Sequence, residues 1–328
     1  MFIASLAIII GLSLLVWSAD RFVDGAAVLA KHFKLPPLLT GIVILGFGTS
    51  APEMVVSAMA AIDGIPGLAL GNAIGSNITN ISLVLGITAV LCPMTIHSKI
   101  IKNELPILLF IVLFSGYLFF DDVLSTIDAY LLLTGFMLVI IWSVTAALGS
   151  RSDASNLECS EALNSSPILL WREIIWLIVG LVVLIGSSRL LLWGAVEIVS
   201  ALGVSDLVIG LTIVAVGTSL PELTTTIAAV RKGNHDIAIG NLIGSNMFNI
   251  LGVVGLTGAI SPIASIPTEV MSRDWPVMLV STLILLVIIY RSSKGGHIYR
   301  REGILLLAIY FSYNIYLIHD VLLSQPIT

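Results

Sequence analysis

The chain has 328 residues, of which 57% are apolar and only 11% charged, and its mean hydropathy is +1.07. A water-soluble domain of that size could carry such a composition only by burying nearly every side chain, so a soluble enzyme or binding module is excluded and an integral membrane protein is indicated. The formal net charge is −5 and the only cysteines are Cys92 and Cys159, so neither a nucleic-acid partner nor a metal-thiolate site is expected.

Apolar runs near the length needed to cross a bilayer fall at residues 2–19, 38–62, 66–91, 105–120, 123–148, 169–190, 207–230, 237–260, 275–290 and 303–319. The first has no Lys or Arg before it and is too long for the apolar region of a signal peptide, so it is read as a retained span. The second and third runs lie in the stretch Gly41 to Pro93, which recurs without a gap as Gly210 to Pro262 at a shift of 169 residues. Under that shift Gly48-Thr49 falls on Gly217-Thr218, Pro52-Glu53 on Pro221-Glu222, Gly75-Ser76-Asn77 on Gly244-Ser245-Asn246, and Asn80 on Asn249. It also places Gly11 and Ser18 of the first run on Gly180 and Ser187 of the sixth, and Gly25, just beyond the first, on Gly194, just beyond the sixth. The chain therefore divides into a first five-helix repeat at 1–148, a polar linker at 149–168, and a second five-helix repeat at 169–328.

A repeat of five spans crosses an odd number of times, so the second copy enters the membrane from the opposite side. The expected fold is all-α, with ten transmembrane helices in two inverted five-helix repeats. With the N-terminus outside, the inner loops hold Lys31, Lys34, Lys99, Lys102, Arg151, Arg172, Arg231, Lys232, Arg291, Lys294, Arg300 and Arg301, and the outer loops only Arg273. Arg21 and Arg189 fall at helix ends, where long basic side chains reach for the interface. Both termini are expected on the outer, periplasmic face of a bacterial cytoplasmic membrane. Trp17, Trp171, Trp193 and Trp275 read as interfacial anchors.

Within the duplicated stretch, Glu53 and Glu222 stand mid-span with no Lys or Arg in the same span. An acidic side chain there costs about 2.5–3.5 kcal/mol even on the lenient insertion scale, so each is either protonated or faces a cation. Pro52 and Pro221 lack an N–H, which leaves the carbonyls of Gly48 and Gly217 without their helical donors. Thr49 and Thr218 lie one turn before the acids and Ser50 and Ser219 three residues before them, so hydroxyls and carboxylate share a face. On the next span Asn72, Ser76 and Asn80, matched by Asn241, Ser245 and Asn249, form a second polar stripe. Asn72 and Asn241 read first as helix-packing amides, whereas Ser76, Asn80, Ser245 and Asn249 read as ligands. Oxygen donors without thiol or imidazole suit calcium and sodium, and two carboxylates balance one divalent cation.

The paired GTSxPE and GNxIGSNxxN motifs resemble the two α-repeats of the cation/calcium antiporter superfamily, in its prokaryotic sodium/calcium exchanger branch, over nearly the whole chain. The resemblance implies broken second, third, seventh and eighth helices around mid-membrane cation sites. It implies a calcium site bounded by Glu53 and Glu222 with the carbonyls of Thr49 and Thr218. Sodium sites would share these carboxylates with Ser50, Ser76, Ser219 and Ser245 and the carbonyls of Gly46 and Ala215. Asn80 matches the family's amide, and Asn249 stands where some members carry Asp. The expected function is exchange of calcium for sodium by alternating access, with transported cations and lipid as partners, no resident cofactor and no protein partner named by the sequence. A calcium/proton antiporter would use the same glutamates. A passive channel would need a continuous polar pore, and the polar residues cluster at one depth. An intramembrane protease would need catalytic aspartates, HExxH or a paired Ser, none of which the sequence contains.

Overall fold

The computed structural model describes residues 2–33, 35–64, 66–96, 101–154, 170–201, 215–291 and 296–324. The first half holds α1 (Phe2–Phe33), α2 (Gly41–Ile62, entered through the turn Pro37–Thr40), α3 (Pro66–Leu91), a short strand β1 (Met94–Ile96), α4 (Ile101–Leu118) and α5 (Thr126–Ala154). The second holds α6 (Leu170–Ala201), α7 (Leu220–Arg231, entered through Ala215–Thr218), α8 (His235–Ile260), α9 (Val270–Arg291), a strand β2 (Gly296–Ile298) and α10 (Arg300–Ser324). Five helices thus fall on each side of the expected linker.

Helix ends differ from the apolar runs where protein replaces lipid. The first run ends near residue 19, yet α1 continues to Phe33 because Phe22, Val23, Ala26, Leu29 and Ala30 keep a buried stripe. Apolar length measures only the part that meets acyl chains. Helices α6 and α5 also outrun their apolar runs, to Ala201 and to Ala154, the latter six residues into the expected linker. Linker residues 155–168, including Cys159, lie outside the described residues, as do 207–214 of the seventh run and His97.

α1 and α6 pack antiparallel along their length, at the glycines that the shift places on one another. A methyl group on Gly11 would stand 3.0 Å from Leu191 Cβ and one on Gly25 3.0 Å from Leu177 Cβ. On the facing helix, a methyl on Gly180 would stand 2.8 Å from the Phe22 nitrogen, and one on Gly194 2.7 Å from the Ala4 carbonyl. Hydrogen in place of Cβ lets the two backbones touch, the close approach that holds helices together where lipid supplies no hydrophobic drive.

At the centre, α8 is buried without interruption from Ile237 to Gly255, and α3 from Ser76 to Gly86. Helix α5 covers α8 and helix α10 covers α3, the same relation in each half. Two backbone pairings then join the halves: β1 with β2, antiparallel, with Met94 opposite Ile298, and the bridge Leu124 to Ile263. With ten alternating crossings these ties lie on opposite faces of the bundle. Neither strand is legible in the sequence, since three residues in a connecting loop carry no periodicity. Trp275, expected as an interfacial anchor, docks on α4, its indole N–H donating to the Val112 carbonyl at 3.1 Å over the space left by Gly116.

Candidate cation site

Both central helix pairs depart from regular α geometry where the duplicated motifs lie. Wide π-helical turns run from Gly41 to Gly46 in α2, from Thr79 to Val84 in α3 and from Asn249 to Val254 in α8. Such turns shift the backbone bonding by one residue and gather at functional sites. Between Ala215–Thr218 and α7 the helix is interrupted at Ser219 (φ −89°, ψ 6°). Pro52 sits inside α2 and Pro221 in the first turn of α7.

These irregularities let elements from the two halves approach closely. A methyl group on Gly244 of α8 would stand 2.7 Å from the Ile42 carbonyl of α2, so only glycine fits there. That approach brings Ser245 Oγ to 3.4 Å from the Gly46 carbonyl and 3.3 Å from Thr49 Oγ1. Ser50 of the first half donates to Glu222 Oε1 of the second at 3.4 Å, and Ser245 donates to the same oxygen at 3.5 Å. Glu53 lies near enough to Glu222 for their charges to repel. Gly46, Thr49, Ser50, Glu53, Glu222 and Ser245 therefore form one cluster drawn from α2, α7 and α8.

All the predicted side-chain ligands are buried: Thr49, Ser50, Glu53, Ser76, Asn80, Glu222, Ser245 and Asn249 are fully inaccessible, Ser219 nearly so, and Thr218 is 7% exposed. Several of their oxygens meet no donor or acceptor in the protein: both of Glu53, Oε2 of Glu222, Oγ of Ser76 and Ser219, and the whole amides of Asn80 and Asn249. Buried polar groups are nearly always paired, and an uncompensated buried charge is costlier still. Their concentration at matching positions of both repeats fits a set of oxygens whose partner is a cation. Among the described residues there is no cluster of three or more His, Cys, Asp or Glu, so hydroxyls, amides and carbonyls must complete any shell. Ala215 opens the turn before α7, as Gly46 closes the π turn of α2.

Asn72 and Asn241 stand apart from the cluster's open oxygens. Asn241 donates to Thr225 Oγ1 at 3.2 Å and Thr226 Oγ1 at 3.1 Å, and its carbonyl accepts from Thr49 at 3.2 Å. Asn72 repeats the pattern, donating to Ser57 at 3.1 Å and accepting from Thr218 at 3.5 Å. Each amide thus ties the motif threonine of the opposite repeat to its own half. Ser57 and Thr226 are again 169 residues apart, so the duplication itself marks these hydroxyl partners in the sequence. One expectation is corrected: the Gly217 carbonyl released by Pro221 is not open, because Ser188 of α6 donates to it at 2.9 Å. The position of α1 that matches Ser188 is Ala19, which has no side-chain donor for Gly48.

A family model described as sodium/calcium exchanger protein matches residues 3–148 and 172–319. The chain is 39% identical over 299 residues to inner membrane protein YrbG of Escherichia coli strain K12, spanning 89% of this chain and 90% of that one. It is 30% identical to sodium/calcium exchanger MaX1 of Methanosarcina acetivorans, over 96% of this chain and 98% of the relative. Among solved structures, the sodium-calcium exchanger NCX_Mj soaked with zero Na+ and Ca2+ superposes with a TM-score of 0.82 at 31% identity, covering 96% of this chain and 99% of that one.

Proposed function

The chain belongs to the sodium/calcium exchanger family, and from that premise we propose that it exchanges Ca2+ for Na+ across a cytoplasmic membrane, at a site bounded by Glu53 and Glu222. The observation that carries the site is the set of unpartnered buried oxygens on Glu53, Ser76, Asn80, Ser219, Glu222 and Asn249. One Ca2+ would neutralise both carboxylates, and Na+ ions would compete by neutralising the same two charges. Thr49, Ser50, Thr218 and Ser245 would add hydroxyl or carbonyl oxygens, together with the carbonyls of Gly46 and Ala215. Relaxing the site while empty would leave two unbalanced carboxylates in low dielectric, so only the loaded carrier rearranges, which is what makes the transport an exchange.

The paired helices α1 and α6 would slide past this fixed core, a reading supported by their glycine contacts along the whole crossing. Twelve of the fifteen Lys and Arg residues fall in the loops that this topology places inside, which supports periplasmic termini. The matching of the family model in two segments supports repeats at 1–148 and 169–328 with a linker at 149–168. Calcium-45 uptake into proteoliposomes loaded in turn with sodium, potassium or an acid interior tests the reading. Uptake driven by the sodium gradient is expected; uptake driven only by the acid interior would assign the carboxylates to proton exchange, and uptake with no countergradient would make the protein a channel.

A further inference from the structure

A furrow lined by both helices runs between α9 and α10. Its half nearest the β1–β2 ribbon is a groove of about 660 Å³. The wall is apolar and turned outward, with Leu283 39%, Val287 59% and Leu305 50% exposed. At the mouth, where α9 ends and α10 begins, stand Arg291, His297, Tyr299, Arg301 and Glu302. Glu302 is already committed: one oxygen accepts from Arg301 Nε at 2.7 Å and the other from the Tyr299 backbone N–H at 3.0 Å. The Arg301 guanidinium is held over the Tyr299 ring, 5.5 Å from its centre. Arg291 pairs with none of the described residues. The mouth is therefore net positive above an apolar slot that opens sideways.

The other half of the same furrow provides an internal comparison. It is lined by Arg273, Pro276, Val277, Ile309 and Tyr313 among others. There Arg273 lies 2.7 Å from Asp274, as Arg301 does from Glu302, and Asp274 also accepts from the Tyr313 hydroxyl at 2.9 Å; no second basic side chain lines that half, so it carries no surplus charge such as Arg291 gives the other. One furrow thus has a neutral end and a cationic end, and only the cationic end is coupled by β1–β2 to the loop after α3.

We infer that the α9–α10 groove is a binding site for an anionic glycerophospholipid. An acyl chain would lie along Leu283, Val287 and Leu305, and the headgroup phosphate would meet Arg291 and Arg301 beside the Tyr299 ring. Basic pockets between membrane helices at the inner interface select anionic headgroups, because apolar contact holds any lipid and the basic side chains discriminate by charge. Arginine suits the role, since its planar fork meets two phosphate oxygens at once.

The test uses the full-length protein in neutral detergent, titrated with phosphatidylglycerol, phosphatidylcholine or inorganic phosphate and read by native mass spectrometry. Phosphatidylglycerol should bind the parent about tenfold more tightly than phosphatidylcholine, given two basic side chains at the headgroup. Arg291→Gln alone should reduce that preference and Arg291→Gln with Arg301→Gln should remove it, with phosphatidylcholine binding unchanged. Val287→Trp, which fills the slot, should weaken both lipids. Preference for phosphatidylglycerol surviving in the double variant would overturn the assignment, and so would competition by inorganic phosphate as strong as that of the lipid.

Discussion

Replacing Glu53 by Gln separates an ion ligand from a structural acid, because the two roles predict opposite signs in the absence of calcium. Glu53 is fully buried, neither of its oxygens has a hydrogen-bond partner in the protein, and its charge opposes that of Glu222. Without an ion, the two buried carboxylates repel; at an effective dielectric of about 20, unit charges roughly 4–8 Å apart do so by about 2–4 kcal/mol, and by less where one takes up a proton. The glutamine variant loses that repulsion, so in calcium chelator it should unfold at a temperature equal to or above that of the parent. With calcium the balance reverses. Removing one member of a buried charge pair costs about 3–5 kcal/mol, which weakens binding by roughly two to four orders of magnitude. The rise in unfolding temperature that saturating calcium gives the parent should therefore disappear. Thermal unfolding in detergent, with chelator and with calcium, measures both effects. Equal destabilisation in both conditions would make Glu53 a structural acid, and an undiminished calcium-induced rise would place the site elsewhere.

Asn249→Asp adds a third carboxylate beside a site that otherwise has two, so it should alter monovalent-ion affinity or coupling more than Asn80→Ala does; calcium transport with potassium present and absent on each side of the vesicle tests this. In the parent, potassium should not be required, because a further monovalent cation would exceed the two negative charges available. A reporter active only in the periplasm should be active after Thr328 and silent between Ser152 and Asn164; the reverse pattern would invert the orientation. Gly116→Ala would place a methyl group 2.2 Å from the Trp275 ring, so it should cost about 1–3 kcal/mol of stability as an overpacked contact, read as a lowered unfolding temperature with calcium affinity unchanged. Lys232→Gln breaks the pairs to Asp20 at 3.3 Å and Asp24 at 2.9 Å, but both aspartates are half exposed, so the loss should stay within about 1 kcal/mol.

The amino-acid sequence by itself determined the solvent, the duplication, the inversion and the two acids at its centre. These follow from terms that are local or periodic: apolar length, an ungapped shift of 169 residues, the parity of five crossings, and the cost of Glu53 and Glu222 in apolar spans. Only the tertiary structure decided which oxygens are open and which are spent. Ser188 satisfies the carbonyl freed by Pro221 from a helix 29 positions away, and Asn241 holds Thr49 from 192 positions away. Neither Ser188 nor Asn241 carries a mark in its own neighbourhood that names its partner. The same holds for Trp275 on α4 and for the strands that join Met94 to Ile298. The inner extension of α1 was hidden because, past residue 19, burial against protein rather than lipid chooses the side chains, and a stripe of Phe22, Ala26 and Leu29 among polar residues does not register as a span. In a membrane the number of crossings follows from the free energy of each segment taken alone, whereas the site depends on pairings between segments, which exist only once the helices have packed.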